Sequence, residues 1–459
     1  MRVLVIGINY APDLIGVAKY NTELCESLRA RGHAVRVVTA PPYYPDWTIP
    51  HHYRSLWYSY QRLDGVDIIR SPIYVPRRPT GMKRLVHHAS FLLSATVPAL
   101  WSALRWRPDI IVAVAPSLLA APIAALAARA TGAASWLHVQ DLEVDAAFEL
   151  GLLAKDAKAR DLMLALERRI FGLFDRVSTI SPQMLRSLQH KGLAPEKLRE
   201  FPNWVDTSVI VPGSNQTELR ANLGLKPTDV VALYAGAMSN KQGLELIVEA
   251  AGMTRRSHPA LQFVLCGNGP MRPELTQMAR KLPNLRFLDL QPLDRLPELL
   301  NTADIHLLPQ RAQITDLVLP SKLAGMLASG RPIIAMAAPG SGVALETEGA
   351  GRVISPGNAE ALAAAVIALA DDEALRERLG TAARKRAEQK WDRSAIIRAI
   401  ELELLAMRQP TAAPPRPRQP AYFGRSIDQI ATGSRRARED RLPARQVRTH
   451  SGGVRTGNE

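Results

Sequence analysis

Short apolar runs alternate with helical stretches along this sequence, and the alternation occurs twice. In the first half the runs are VRVVTA (35–40), DIIVAVA (109–115), ASWLHV (134–139) and RVSTIS (176–181). The second half starts again with VVALYAG (230–236), followed by runs at 261–267, 285–290, 303–309 and 331–337. Branched apolar runs of this length, separated by helices, are typical of parallel strands buried on both faces. The pattern therefore predicts two doubly wound, Rossmann-like α/β domains.

The length of the chain supports this division, since 459 residues exceed one ordinary hydrophobic core. We expect an N-terminal domain over residues 1–205, a second domain over 206–390 and a closing helix over 391–408. Ligands of open parallel sheets bind beyond the carboxyl ends of the strands. Two such domains placed face to face would form a central cleft at those ends.

Residues 409–459 differ in composition from the rest of the chain. They begin with a proline-rich linker and hold ten arginines against four acids, a net +6 of the total +15. Few large apolar residues are present to offset the entropy of ordering, so we predict a disordered tail. The basic balance permits nucleic acid or an anionic membrane as a partner. Because the aromatic-plus-basic pattern of RNA-binding modules is absent, the sequence favours membrane and nucleotide over nucleic acid.

The cysteines and histidines limit the chemistry. Two distant cysteines, Cys25 and Cys266, favour a reducing cytoplasm over a disulfide framework, and the opening MRVLVIGINY reads as a strand rather than a signal peptide. No D-x-D pair follows a strand, and the histidines lack the spacing of metal ligands. We therefore expect no metal and no cofactor.

Residues 83–107 interrupt the alternation with a mostly apolar stretch that basic residues flank. Its apolar part, about 89–104, is short for a membrane span and contains Pro98. One interpretation is a long core helix. The other is an interfacial helix that lies on the inner face of the cytoplasmic membrane, anchored by Lys83, Arg84, Arg105 and Arg107.

A glycine-bearing turn follows the first predicted strand. The stretch GINYAPDLIGVAKY (7–20) has neither the G-x-G-x-x-G spacing of a dinucleotide fingerprint nor the ending of a P-loop. Gly16 would allow close backbone approach, and a helix starting around Val17 would direct its dipole at a phosphate. Gly16 as a plain turn glycine is the alternative.

The chain resembles the retaining GT-B glycosyltransferases of family 4, the glycosyl transferases group 1. Within that family it is most similar to the fucosyltransferase type of colanic acid biosynthesis. The resemblance covers residues 1 to about 408 and rests on motifs that occur in the family order. These motifs are GINYAPDLIGVAKY, RGHAVRVVTAPPYYPDW, SPIYVPRRP, LHVQDLEVDA, STISPQM, FPNWVD, YAGAMSNKQGLELIVEAA, CGNGP, ADIHLLPQRA and VLPSKLAGMLASGRPIIA.

In the N-terminal half, the resemblance implies that Gly16 faces the donor phosphate and that His138 lies beside the donor sugar. An imidazole at the carboxyl end of a strand can bond a sugar hydroxyl, although His138 could instead be a packed strand residue. Asp141, together with Tyr44 and Asp46, is a candidate for contact with the acceptor. Glu143 and Asp145 follow Asp141, and these three acids could equally form a solvated face.

In the C-terminal half, the resemblance places Lys322 of the PSKL motif opposite the donor phosphates, as a catalytic residue with Asp316. Because a lysine at a helix start opposes the dipole, a bound anion would explain it. The remaining donor-binding candidates are Lys241, Gln242, Gly267, Gly269 and Ser321. For Gly267 and Gly269, a plain β–α turn is the alternative.

The sequence also departs from the family pattern. Ala237 follows the glycine after the YAG strand, where many relatives have a basic residue. The lysine of their K-G pair is Gln242 here, with Lys241 one place earlier. Of two paired glutamates, the second, which usually holds the ribose, aligns with Gly325, and the first aligns with Leu317, beside Asp316. The choice of nucleotide therefore stays open.

The resemblance implies a retaining transferase that moves a sugar, such as fucose from GDP-fucose, onto a lipid-linked exopolysaccharide intermediate. Two alternatives remain open at this point. Ala237 and Gly325 would permit a catalytically inactive scaffold of a polysaccharide assembly. A GT-B sugar-nucleotide epimerase shares the architecture but would need acid–base carboxylates that the sequence does not reveal. The missing fingerprint disfavours a Rossmann dehydrogenase.

Overall fold

The computed structural model describes residues 1–13, 16–142, 157–240, 242–311 and 319–408. Residues Met1–Pro410 form one compact unit. Two candidate site residues, Lys241 and Asp316, and two neighbouring acids, Glu143 and Asp145, lie outside the described residues, as does the predicted tail. Over the described part of the chain, no helix is both long and apolar enough to cross a membrane.

The N-terminal sheet has eight strands in the order β3-β4-β2-β1-β5-β6-β7-β8. All neighbouring pairs are parallel except β3 and β4, which are antiparallel. The strands are β1 (Arg2–Gly7), β2 (Ala34–Thr39), β3 (Ser59–Leu63), β4 (Val66–Arg70), β5 (Ile110–Ala115), β6 (Ala134–Val139), β7 (Arg176–Thr179) and β8 (Leu198–Glu200). The helices are α1 (Val17–Ala30), α2 (Gly81–Trp106), α3 (Ala121–Thr131), α4 (Ala157–Gly172) and α5 (Pro182–His190).

The C-terminal sheet has six parallel strands in the order β11-β10-β9-β12-β13-β14. They are β9 (Val230–Ala235), β10 (Leu261–Cys266), β11 (Leu285–Leu288), β12 (Ile305–Leu308), β13 (Ile333–Met336) and β14 (Gly351–Ile354). The helices are α6 (Glu218–Asn222), α7 (Glu245–Thr254), α8 (Arg272–Met278), α9 (Leu296–Asn301), α10 (Lys322–Ala328), α11 (Gly342–Thr347), α12 (Ala359–Asp371), α13 (Glu373–Arg386) and α14 (Arg393–Arg408). The predicted fold of two doubly wound parallel sheets is confirmed.

The last described helix, α14, packs on the N-terminal sheet although it follows the C-terminal one. Ile397 and Ile400 share an apolar cluster with Val5, Val112 and Trp136. Ion pairs fix the helix at its edges, including one between Arg31 and Glu401 at 3.1 Å. The backbone at Val205 pairs with residues 391–393, through a Val205 N–H bond to the Trp391 carbonyl at 2.9 Å. The two segments that connect the sheets therefore run side by side.

Helix α2, which covers most of the apolar stretch 83–107, has one buried face and one exposed face. It continues through Pro98, whose side chain is buried. One face, with Phe91, Ala95 and Ala99, is fully buried in the N-terminal core. The opposite face leaves large apolar side chains in solvent: Met82, Leu85, Val86, Leu93, Val97, Trp101 and Leu104.

Candidate active site

The turn after β1 leads into the N-terminus of helix α1, which no side chain caps. Helix α1 begins at Val17, as predicted, and Gly16 is its N-cap, with φ 62° and no side-chain hydrogen bond to cap the first amides. A Cβ at Gly16 would meet nothing within 4 Å, so its left-handed backbone conformation, rather than crowding, requires glycine. Uncapped N–H groups at the start of a 14-residue helix can bind an anion.

His138 lies at the carboxyl end of β6, where it belongs to a chain of hydrogen bonds. Its Nδ1 lies 2.8 Å from Ser178 Oγ, which also accepts a bond from Trp136 Nε1 at 2.8 Å, and its Nε2 lies 2.9 Å from the amide of Gln140. Burial lowers the pKa of His138 to about 4, so the ring is neutral at physiological pH. Both ring nitrogens are thus engaged by the protein, which fixes the plane of the ring.

The candidate acceptor residues lie on exposed loops. Tyr44, Asp46 and Asp141 are all exposed. Near them is an acid that the sequence analysis did not single out, Asp13, which is buried and accepts the backbone N–H of Tyr43 at 3.5 Å. Burial raises the pKa of Asp13 to about 6. Its carboxyl group therefore ties the turn before Gly16 to the loop that contains Tyr44 and Asp46.

Lys322 is the first residue of α10, and its N-cap, Ser321, is exposed and makes no side-chain capping bond. The amine of Lys322 lies 3.2 Å from the hydroxyl of Tyr234 and 4.3 Å from the centre of the Tyr234 ring. Burial lowers the pKa of Lys322 to about 8. Within the described ranges, no carboxylate forms an ion pair with this amine. A partly buried cation at a helix start, with no acid beside it, is suited to an anionic ligand.

Gly267 and Gly269 follow β10, and the structure gives a packing reason for each. A Cβ on Gly267 would lie 2.0 Å from the carbonyl oxygen of Gly236, and one on Gly269 would lie 2.4 Å from that of Met238. The loops after β9 and β10 therefore run in direct backbone contact, joined by a bond from the Met238 N–H to the Asn268 carbonyl at 2.8 Å. These contacts explain the glycines without a ligand.

Gln242, the remaining candidate for donor binding, precedes α7. Its side-chain oxygen accepts a bond from the Ser239 hydroxyl, and its backbone N–H bonds the Ser239 carbonyl at 3.2 Å. Gln242 is thus bonded to Ser239 through both its backbone and its side chain. Among the described residues, no three His, Cys, Asp or Glu side chains come together as a possible metal site.

The structure thus groups the candidates by sheet. Gly16 follows β1 and His138 lies at the carboxyl end of β6 in the N-terminal sheet, whereas Gly267 and Lys322 follow β10 and β12 of the C-terminal sheet. Tyr234 and Asp13 were missed. Tyr234 belongs to a strand that reads as uniformly apolar, and its contact with Lys322 spans 88 positions. Asp13 lies inside the quoted turn, and a carboxylate beside a glycine loop was a usable signal.

Comparison with known proteins agrees with this architecture. The pattern of the glycosyl transferase 4-like domain matches residues 16–204, and that of the glycosyl transferases group 1 matches residues 215–386. The chain is 40% identical over 408 residues to the colanic acid biosynthesis glycosyl transferase WcaI of Escherichia coli (strain K12), covering 87% of this chain and 98% of that protein. It is 26% identical to the glycogen synthase of Mycobacterium tuberculosis (strain H37Rv), covering 92% and 98%.

Solved structures share the fold at low sequence identity. Sucrose-phosphate synthase from Thermosynechococcus elongatus has a TM-score of 0.66 and 19% identity, with 89% of this chain and 99% of that chain covered. Anabaena Alr3699/HepE in complex with UDP-glucose has a TM-score of 0.63 and 17% identity, with 88% and 100% covered. These neighbours are GT-B glycosyltransferases. The chain belongs to the glycosyl transferases group 1 family and is a GT-B glycosyltransferase.

Proposed function

We propose that this glycosyltransferase moves a sugar from a nucleotide sugar onto a lipid-linked saccharide during exopolysaccharide assembly. The observation that carries the proposal is the amine of Lys322, which is partly buried at the start of α10 and faces no carboxylate within the described ranges. Such a cation is stabilised when a diphosphate binds. The similarity to the colanic acid enzyme WcaI supports a polysaccharide acceptor.

The proposed reaction is a transfer with retention at the anomeric carbon. The bond between that carbon and the diphosphate oxygen breaks, and the bond to the acceptor oxygen forms on the same face. The acceptor hydroxyl gives its proton to the departing phosphate oxygen, so no positioned nucleophile is required. The task of the protein is then to stabilise the leaving diphosphate. Lys322 and the first amides of α1 after Gly16 would act from the two sheets, assisted by Lys241.

For the donor we propose GDP-fucose, as the family resemblance implies. Gly325 aligns with the residue that usually holds the ribose, and the nearest atom to a Cβ built there would be Leu300 Cδ1 at 3.5 Å. Ribose recognition must therefore use another group. UDP and UDP-glucose, found with HepE, are the main competing donors to examine.

We also propose that the protein contacts the inner face of an anionic membrane, where a lipid-linked acceptor would lie. The outer face of α2 exposes Leu93 by 74%, Val97 by 61% and Trp101 by 53%. A second element adjoins it, since the Tyr58 hydroxyl bonds the Ser94 carbonyl at 3.0 Å, and Leu56 and Trp57 directly precede Tyr58 in the chain. Trp57 is 80% exposed. Exposed tryptophans beside an aliphatic stripe fit the interfacial region of a bilayer.

The charge around this surface favours anionic lipid as the partner. Residues 51–107 hold nine arginines and lysines but only two acids, Asp64 and Asp67. Asp67 is already paired with Arg36 at 3.5 Å. The bases Arg77, Arg78, Lys83 and Arg84 precede or begin α2, and Arg105 and Arg107 end it, all exposed. Basic residues at both ends of an apolar stripe would meet lipid headgroups while the stripe enters the interface.

A panel of nucleotide sugars tests the proposed activity. The protein is incubated with GDP-fucose, GDP-mannose, UDP-glucose and UDP-galactose, with and without a membrane lipid extract, and release of the nucleotide diphosphate is measured. We expect release with one donor, accelerated by the extract. Binding without turnover across the panel would instead identify a scaffold, and conversion of a donor into its epimer would identify an epimerase.

A further inference from the structure

The amine of Lys322 is held by residues of a different element, the carboxyl end of β9. Tyr234 belongs to that strand and is fully buried. Its hydroxyl donates to the carbonyl of Ala237 at 2.6 Å. Since the hydroxyl proton is used there, the oxygen must accept at its contact with Lys322, and the amine is the donor over the 3.2 Å between them. The ring of Tyr234 adds a cation–π contact, because the amine lies 4.3 Å from its centre.

Gly236 provides the space that the amine occupies. A Cβ built there would lie 3.2 Å from Lys322 Nζ and 3.3 Å from the Tyr234 hydroxyl, closer than ordinary side-chain contacts. The backbone of Gly236 has φ 151°, which side chains rarely allow. Glycine at this position therefore permits both the loop conformation and the approach of the amine.

We propose that Tyr234 is a positioning residue, which fixes the amine of Lys322 at the carboxyl end of β9 while Gly236 leaves it room. The inference rests on the proposed function, in which Lys322 meets the donor diphosphate. One N–H of the amine is used on Tyr234, so two remain for phosphate oxygens. A lysine side chain is otherwise flexible, and a fixed donor is effective only when it is already in place as charge develops.

A double-mutant cycle tests the coupling between the two residues. Tyr234→Phe keeps the ring and its packing but removes the acceptor oxygen. Because hydrogen bonds to charged groups contribute strongly, we expect kcat to fall about tenfold, with a smaller change in the KM of the donor. In a Lys322→Ala background the same substitution should have no further effect. An equal fall in both backgrounds would overturn the inference.

Gly236→Ala provides a steric test, with Gly224→Ala as a control for a side chain at positive φ. Gly224 also has a positive φ, 64°, and a Cβ there meets nothing within 4 Å. Both substitutions impose backbone strain, but only Gly236→Ala meets the amine. We expect kcat to fall in Gly236→Ala and to remain unchanged in Gly224→Ala. Equal activity of the two variants would count against the proposal that Gly236 leaves room for the amine of Lys322.

A measurement without turnover separates this inference from the proposed function. In protein labelled with ¹³C at the lysine ε carbons, the signal of Lys322 is followed as pH rises. Loss of the hydroxyl acceptor in Tyr234→Phe should lower the pKa of Lys322 by about one unit. If Lys322→Ala keeps full transfer activity, Lys322 does not stabilise the donor diphosphate and the proposed function fails. The change in the pKa of Lys322 in Tyr234→Phe would still show the contact between the two side chains. If Lys322→Ala is inactive while Tyr234→Phe changes neither the rate nor the shift, only the positioning inference fails.

Discussion

At the scale of single residues, the account depends most on Lys322. Removing one preorganised donor from a developing negative charge costs about 2.7–4 kcal/mol, or roughly a hundredfold or more in rate. We expect Lys322→Ala to lower kcat by that factor in chelator-treated buffer while thermal stability is retained. Lys226, exposed before the amino end of β9, offers a control for loss of one lysine. A Lys322→Ala enzyme as active as Lys226→Ala would remove Lys322 from the mechanism.

His138 makes a second prediction at this scale. In His138→Ala, the hydroxyl of Ser178 and the amide of Gln140 lose their shared partner. Ser178 keeps its bond from Trp136, but the buried amide of Gln140 is left without an acceptor, which costs about 1–3 kcal/mol of stability. We expect a folded variant with a lower melting temperature and impaired transfer. His51→Ala, at an exposed ring, is the control. Unimpaired transfer by His138→Ala would leave the ring a purely structural role.

At the scale of elements, most of the buried strands could be predicted because they are short apolar runs. The strand β6 was predicted at its exact bounds, and most others within two residues at each end. The β3–β4 hairpin was missed because its edge strand, Ser59–Leu63, is largely polar and exposed rather than apolar. A usable sequence signal was nevertheless present in the Asp64–Gly65 dipeptide, which is typical of a tight hairpin turn, and in the structure both residues have positive φ, 48° and 78°.

The candidate site could be predicted only in part, for a physical reason. Gly16 and Lys322 stand next to predicted helix starts, so local sequence places them. The position of the Lys322 amine depends on Tyr234 in β9 and on Gly236 directly after it. These residues are far from Lys322 in sequence and come next to it only because of the order of the strands in the sheet. Likewise, the exposed apolar face of α2 could not be predicted. In a stretch that is mostly apolar, the hydrophobic periodicity does not determine which side of the helix packs on the core.

The prediction at this scale concerns the surface formed by α2 and residues 56–58, which we expect to bind anionic vesicles. Each basic residue near an anionic surface contributes about 1 kcal/mol. We expect Lys83, Arg84, Arg105 and Arg107, changed together to glutamine, to release the protein from phosphatidylglycerol vesicles in sedimentation. The control has the same charge change at exposed residues of the other half: Arg256, Arg280, Lys281 and Lys385.

The apolar part of that surface is tested separately. Trp57→Ser, Leu93→Ser and Trp101→Ser together should weaken binding to vesicles, whereas Leu290→Ser and Leu402→Ser, also at exposed leucines, should not. A second copy of the chain is the competing partner. If neither the glutamine variant nor the serine variant sediments less with vesicles, or if the serine substitutions instead dissociate a dimer, the proposed membrane contact is wrong.

At the scale of the whole molecule, buried neutral histidines link stability to pH. Burial lowers the pKa of His87, His88 and His138 to about 4, and that of His306 to about 3. The unfolded chain binds these protons near pH 6.5, so the free energy of unfolding falls as pH decreases from 6.5 toward 4. Asp13, with its pKa raised to about 6, acts in the opposite direction, as do Glu26 and Glu200, whose pKa values burial also raises, but the four histidines outnumber these three carboxyl groups.

We therefore expect the melting temperature to decrease between pH 7 and pH 5. His306 is buried and bonds Ser329 Oγ at 2.9 Å. His306→Gln should flatten the pH dependence, whereas His52→Gln, at an exposed ring, should not. A melting temperature that stays constant or rises over this interval would contradict neutral burial of these rings.

The central claim is that the two sheets together stabilise a leaving diphosphate during a retaining, metal-independent sugar transfer. It is tested most directly by the anomeric configuration of the product, determined by NMR after reaction of the active donor with a lipid-linked acceptor in excess chelator. The account predicts a product with the configuration of the donor, formed at the same rate with and without chelator. An inverted product, or activity that chelator abolishes and Mg²⁺ or Mn²⁺ restores, would contradict it.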